Sequence, residues 1–305
     1  MIVDCHCHIA SRKVLPEKFF EGWSRTIKAG LPFNASPVQE QRIDELLSQL
    51  IEDPDCTNLI REMDDAGIEK AVLLLIDFGL AFREVGITLE DLHREHMRLV
   101  NASDRFIAFS GVDPRRGKEG LDLFEKAVGE WGFRGLKIYP PCGFSPSNKI
   151  MFPFYEICGE KKLPVFTHVG PTTSSLPFRH TRPMDVDDAA FCFPNVNFIL
   201  GHAGVVWYEE AAMLAQYRPN VYLDLSGFQA EVGRGYFKDI LRWLMSRGMG
   251  RKLLFGTDWP IHRLGGTQSK SVREINSCLG KGILTADDVE NIFFNNANSI
   301  LRLKA

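Results

Sequence analysis

Eight short, nearly uninterrupted apolar segments punctuate this 305-residue chain, at residues 1–8, 68–76, 105–112, 133–139, 163–169, 196–202, 221–226 and 252–258. They are β-rich and apolar on both faces, as a parallel strand sandwiched between other layers must be. Helix-compatible stretches lie between them, at 89–101, 117–131, 184–193, 207–217 and 236–247. The segment centres Leu73, Phe109, Leu136, Phe166, Leu200, Leu223 and Phe255 are about 23 to 36 residues apart, the length of a βα unit. Strand and helix in alternation predict a parallel sheet, and eight units predict its closure into a (β/α)8 TIM barrel. An open, doubly wound sheet is the alternative. It is disfavoured because no GxGxxG loop follows the first segment.

Barrels of this kind need about 250 residues and tolerate insertions, so residues 1–305 are read as one barrel domain. The surplus has a predicted address. From Cys5 to Leu73 is about twice a normal unit, and 10–55 is rich in proline, phenylalanine and charge. An insertion after the first strand lies at the C-terminal mouth, where such barrels place their active sites. Residues 10–55 are therefore expected to form a lid, with a helix near 38–51. A second excursion, 170–183, follows strand five at the same end. The tail 285–303 reads as helical, with Thr285 as N-cap and Asp287 and Asp288 in the first turn.

Thirty-six basic residues against 39 acidic ones provide no global field for nucleic acid or anionic lipid. Seven cysteines are too few and odd in number for a disulfide scaffold. The first residues show no basic region followed by an apolar stretch, and no apolar run approaches the length of a membrane span. These features predict a cytoplasmic enzyme with a small-molecule substrate.

Chemistry concentrates at the predicted strand ends. His6 and His8 are spaced i, i+2 on strand one, so both face one side and two imidazoles can share one metal. By the same alternation Cys5 and Cys7 should point toward the helices as packing residues. Strand five ends at His168, strand six at His202 and strand eight at Asp258. Four of the eight histidines thus sit at C-terminal strand ends with an aspartate, whereas His93 and His96 fall on a helix as structural residues would. This clustering predicts a metal site.

These residues resemble the signature of the amidohydrolase superfamily. GFRGLKIYP, LPVFTHVG, NFILGHAG, NVYLDLSG, LLFGTDWP and the closing NIFFNNANSILRL look like its amidohydrolase-related branch. That branch includes aminocarboxymuconate-semialdehyde decarboxylase, hydroxybenzoate decarboxylases and several lactonases. The resemblance implies that His6, His8, His168 and Asp258 bind one divalent metal, with zinc the first expectation. Iron, manganese and cobalt accept similar ligands. Asp258 could also accept a proton from a metal-bound water, and His202 could stabilise oxyanion charge or shuttle a proton. Lys137 ends strand four, where binuclear members carry a carboxylated lysine bridging two metals. Carboxylation would bring a second metal to His168 and His202. A substrate-anchoring ammonium or an inward salt bridge with Asp4 or Asp224 are the alternatives. The branch's barrels are often dimers or larger, so a homo-oligomer is an expectation from resemblance.

Arg179, His180 and Arg182 in the strand-five loop, with Tyr139, Trp207 and His262, form a candidate pocket for an anionic or aromatic acid. Hydrolysis of a carboxylate-bearing ester, lactone or amide is the first functional expectation. Its support is Asp258 beside two strand-one histidines, which makes a metal-bound hydroxide and a proton acceptor available, and the glutamate that hydroxybenzoate decarboxylases often have where His6 stands. Non-oxidative decarboxylation of an aromatic or muconate-type acid is the alternative, because the muconate-semialdehyde decarboxylases keep the histidine pair. A barrel retained for binding without catalysis comes last, since the ligand set is intact.

Overall fold

The computed structural model describes residues 1–31, 36–83 and 86–303. Residues 32–35 of the expected lid, and 304–305 of the expected domain, lie outside the described residues. Eight parallel strands form one sheet in sequential order: β1 (Val3–Cys7), β2 (Lys70–Leu74), β3 (Phe106–Gly111), β4 (Leu136–Ile138), β5 (Val165–His168), β6 (Phe198–Gly201), β7 (Val221–Asp224) and β8 (Leu253–Leu254). Each pairs with its successor in parallel register. Backbone bonds from Cys5 N to Phe255 O (2.9 Å), Asp258 N to His6 O (2.7 Å) and His8 N to Trp259 O (2.7 Å) bring the first and last strands together. The architecture is a (β/α)8 TIM barrel.

The two apolar faces of the strands have separate destinations. Val72, Leu74, Ile107, Phe109, Phe166, Ile199 and Leu254 pack inside the barrel. Ala297, Ile300 and Leu301 of the C-terminal helix Asn296–Leu301 join this cluster. Leu73, Leu75, Leu200, Leu223 and Leu253 instead belong to the larger core shared with the helices. Burying each such side chain contributes about 1.5–3 kcal/mol.

One local departure matters for the chemistry. Asp4 lies opposite Ala71 and Cys7 opposite Leu73, so three steps on β1 match two on β2. This bulge resets the alternation. Cys5 consequently packs with the interior cluster rather than toward the helices, which corrects the simple period-2 expectation. Cys7 keeps its outward position, beside Gln268. The same reset turns Asp4 outward, where it accepts bonds from Thr257 N (3.0 Å) and Gln268 Nε2 (2.8 Å).

Two helices, α1 (Glu17–Lys28) and α2 (Pro37–Leu50), occupy the long β1–β2 connection, followed by α3 (Thr57–Ala66). The expected helix at 38–51 is α2, started by a Ser36–Gln39 capping box. Against α1 lies the loop after β5. Ser174 N donates to Thr26 Oγ1 (3.0 Å), and Ser175 Oγ donates to the carbonyl of Lys18 (2.7 Å). Gly22 permits this approach, because a Cβ there would sit 2.1 Å from Ser175 Oγ.

The expected tail helix is three consecutive pieces: Ala286–Glu290, a π turn at Asn291–Asn295, and Asn296–Leu301. Thr285 caps it, accepting from Asp288 N. No helix among the described residues is long and apolar enough to cross a membrane.

Candidate metal centre and active site

The C-terminal strand ends converge on one buried cluster. His6 and His8, from β1 and its end, approach Asp258 Oδ1 with their Nε2 atoms, at 3.3 and 3.2 Å. His202 Nε2 lies 4.0 Å from Asp258 Oδ2 and 3.2 Å from His168 Nδ1. His262 Nε2 is 3.4 Å from the same aspartate oxygen. Ligand atoms of His6, His202 and Asp258 lie within 4.8 Å of one another, a spacing one metal ion can bridge.

The other ring nitrogens are already engaged, which fixes where the free ones point. His8 Nδ1 bonds the carbonyl of Leu74 at 2.7 Å. His6 Nδ1 is 2.8 Å from Asp224 Oδ2, and His202 Nδ1 is 2.8 Å from Ser226 Oγ. Asp224 also accepts from the backbone N–H of His202 (3.0 Å) and from the Ser226 hydroxyl. Such outer partners orient imidazoles toward a metal. Gly256 makes room for the carboxylate: a Cβ there would stand 2.0 Å from Asp224 Oδ1.

Backbone conformation is unusual where these residues leave the strands. His202, Ala203 and Asp258 have φ of 61°, 43° and 52°. Left-handed conformations at non-glycine residues cost about 1–3 kcal/mol each and cluster at functional sites. Asp258 lies beyond the two-residue β8, so this turn aims its side chain, not the strand pleat.

The electrostatics follow from burial. Desolvation pulls His6 below the ordinary histidine range, and His168 and His202 well below it. Burial also opposes ionisation of Asp258, yet the neighbouring imidazoles of His6, His8 and His202 hold it well below the usual carboxylate range. Lys137 is brought down to about 7 by desolvation, against the opposing charges of Asp258 and Asp224. Three buried atoms of the cluster have no hydrogen-bond partner: His168 Nε2, Asp258 Oδ1 and Lys137 Nζ. The orphaned His168 nitrogen and Asp258 oxygen, beside His6, His8 and His202, fit a divalent cation, since buried polar groups are otherwise paired.

Above the cluster opens a cavity of about 660 Å³. His6, His8, Lys137, His168, His202 and Asp258 form its polar floor, while α1 contributes Phe19, Trp23 and Ile27 to its wall.

A family model described as amidohydrolase matches residues 3–303. The chain belongs to the amidohydrolase family. No curated protein sequence matches it. Among solved structures, this amidohydrolase is similar to 5-carboxyvanillate decarboxylase from Sphingomonas paucimobilis, at 14% identity and TM-score 0.71, with 99% of each chain covered. A dihydroxybenzoic acid decarboxylase from a Polaromonas species, with bound manganese and the inhibitor 2-nitroresorcinol, shares 17% identity (TM-score 0.69; 100% of this chain and 98% of that one). A 4-oxalomesaconate hydratase from Rhodopseudomonas palustris shares 19% (TM-score 0.62; 99% and 96%).

In the amidohydrolase cavity, Tyr139 and His262 line the wall, but Arg179, His180, Arg182 and Trp207 do not. Arg182 turns to the surface, pairing with Glu210 and lying 5.3 Å over the Trp207 ring. A nearby carboxylate that the sequence placed on another helix has captured it. The basic side chains that do border the cavity are Lys137 at the floor and Arg234 at the rim, the latter paired with Glu231. Lys137 Nζ makes no hydrogen bond and lies 4.5 Å over the Phe166 ring, so neither Asp4 nor Asp224 forms the inward salt bridge. Their carboxylates are occupied by Thr257 and Gln268, and by His6 and Ser226.

Ser226 escaped the residue-level reading, and Asp224 entered it only as a salt-bridge partner for Lys137, not as the partner of His6 and His202. Their signal was the polar pair closing the apolar run NVYLDLSG.

Proposed function

We propose that this amidohydrolase is a metal-dependent, non-oxidative decarboxylase of an aromatic or comparably conjugated acid. The observation that carries this reading is the pairing of an unpartnered buried ammonium, Lys137, with a polar floor under apolar walls. Such a place receives a carboxylate and strips it of water. The decarboxylase activities named for similar structures support the same reaction class. They favour it over hydrolysis, which was expected from Asp258 beside the His6–His8 pair and from the histidine at position 6.

His6, His8 and Asp258, with His168 or His202, would hold the divalent ion, zinc or manganese. When bound, the ion supplies positive charge that orients the acid and stabilises negative charge on its oxygens. Asp224 keeps His6 in the tautomer that leaves Nε2 free. Lys137 meets the carboxylate, which favours its charged form despite burial.

Loss of carbon dioxide breaks one C–C bond and requires one proton at the carbon left behind. His262 bridges the half-exposed cavity wall and Asp258 Oδ2. We assign it the delivery of a solvent proton to Asp258, which passes it to that carbon. His202, backed by Ser226, steadies the negative charge that develops. α1 acts as the lid, excluding water from the floor.

Hydrolysis through a metal-activated water is the second reading, favoured by the acidity of Asp258, which suits it to remain a ligand beside a bound hydroxide. One experiment separates the two. Manganese- or zinc-loaded protein is incubated with hydroxybenzoates and with lactones in ¹⁸O-water. Decarboxylation gives carbon dioxide and an organic product free of ¹⁸O, and Asp258→Asn abolishes it. Label in the organic product without carbon dioxide release overturns the reading.

A further inference from the structure

The cavity is far larger than a single-ring acid needs. An apolar cavity of about 150 Å³ accommodates benzene, and this one, at about 660 Å³, is roughly four times that. Its size falls among cavities that enclose drug-sized ligands, about 300–1,000 Å³.

The added space has a consistent chemistry. The candidate metal ligands and Lys137 gather at the floor. Phe19, Trp23 and Ile27 on α1 line the cavity together with Val206, which follows β6, and Ile261 and Leu264, which follow β8. Val206 and Leu264 are 65% and 44% exposed. Large aliphatic side chains left open to water at the rim of a cavity mark a surface that an apolar partner covers. Polar side chains interrupt this wall: Thr26 donates to the Gly22 carbonyl, Thr172 bonds Tyr139 and Arg234 is paired with Glu231, while Thr173 Oγ1 and Gln229 Oε1 have no partner.

We infer that the substrate is an amphipathic acid: a carboxylate head at Lys137 and the metal floor, carrying an apolar body well beyond one ring that lies along α1 and the Val206 and Leu264 side chains. This inference rests on the proposed reading for the head group only. The apolar body follows from the cavity wall, whichever bond is broken.

The test is a binding series, independent of turnover. Metal-loaded protein is titrated calorimetrically with benzoate, 4-ethylbenzoate, 4-butylbenzoate and 4-hexylbenzoate. Transfer of a methylene from water to an apolar wall predicts tightening of about threefold to fourfold per carbon. Val206→Ser and Leu264→Ser change exposed positions and leave the core intact. Each should flatten the dependence for the longest members while leaving benzoate affinity unchanged. Affinity independent of chain length, or falling with it, overturns the inference even if single-ring acids are decarboxylated. A steep dependence, with no carbon dioxide released from the hydroxybenzoates of the ¹⁸O experiment, sinks the decarboxylase reading and leaves the amphipathic substrate standing. Failure of every acid to bind overturns both.

Discussion

Asp224 ties three parts of the candidate centre together from behind. It receives His6 Nδ1, the His202 backbone and Ser226, all without facing the cavity. Replacing it with asparagine keeps the shape but removes the charge that fixes the His6 tautomer. Asp224→Asn should therefore weaken metal affinity about 10- to 100-fold, measured by competition with a chromophoric chelator. Unchanged affinity would show that the network does not orient the ligands. The histidines and Asp258 were legible in sequence because each ends an apolar run. Asp224 was not, because an inward aspartate at a strand end reads as readily as a ligand, a salt-bridge partner or a cap. Arg182 misled for a related reason: its partner Glu210 lies on another helix, and only the fold brings them together. Cys5 was misplaced by a bulge that has no signature in the run VDCHC.

The helix Leu89–Ala102 carries two histidines wholly apart from the cavity. His93 bonds Ser110 Oγ at 2.8 Å, and His96 bonds the Leu92 carbonyl at 2.9 Å. Burial lowers them to about 4 and about 3. Below pH 6.5 the unfolded chain takes up protons at both, while the folded helix does not until much lower pH. Stability is therefore complete above about 6.5 and falls as the pH drops toward 4 and then 3. The loss is about 2 kcal/mol per histidine between pH 6.5 and 5. Denaturant titrations at pH 7 and 5 should show it, and His96→Met should reduce the loss by its own share, about 2 kcal/mol. An identical loss in the variant would contradict the assignment. Other elements divide the same way. The long helices were legible from periodicity and caps, Thr285 among them. β8 shrank to two residues because Asp258 and its neighbours leave the ladder to serve the site.

At the scale of the whole molecule, length and rhythm sufficed for the barrel, because a (β/α)8 fold repeats one local pattern eight times. What the pattern could not convey is how the surplus segments meet. α1 and the loop after β5 are tied together at Gly22, Ser174 and Ser175, some 150 residues apart in sequence, and together they border the cavity. They are where this amidohydrolase is expected to differ from relatives that share its floor. The floor itself rests on one claim, that the histidine–aspartate cluster holds a divalent cation. Elemental analysis of protein expressed with added zinc and manganese tests it most directly. About one ion per chain is expected, since a single compact cluster fits one ion, and Asp258→Asn should lose it. About two ions per chain would instead require a carboxylated Lys137 bridging them. A folded protein that retains no transition metal contradicts the account.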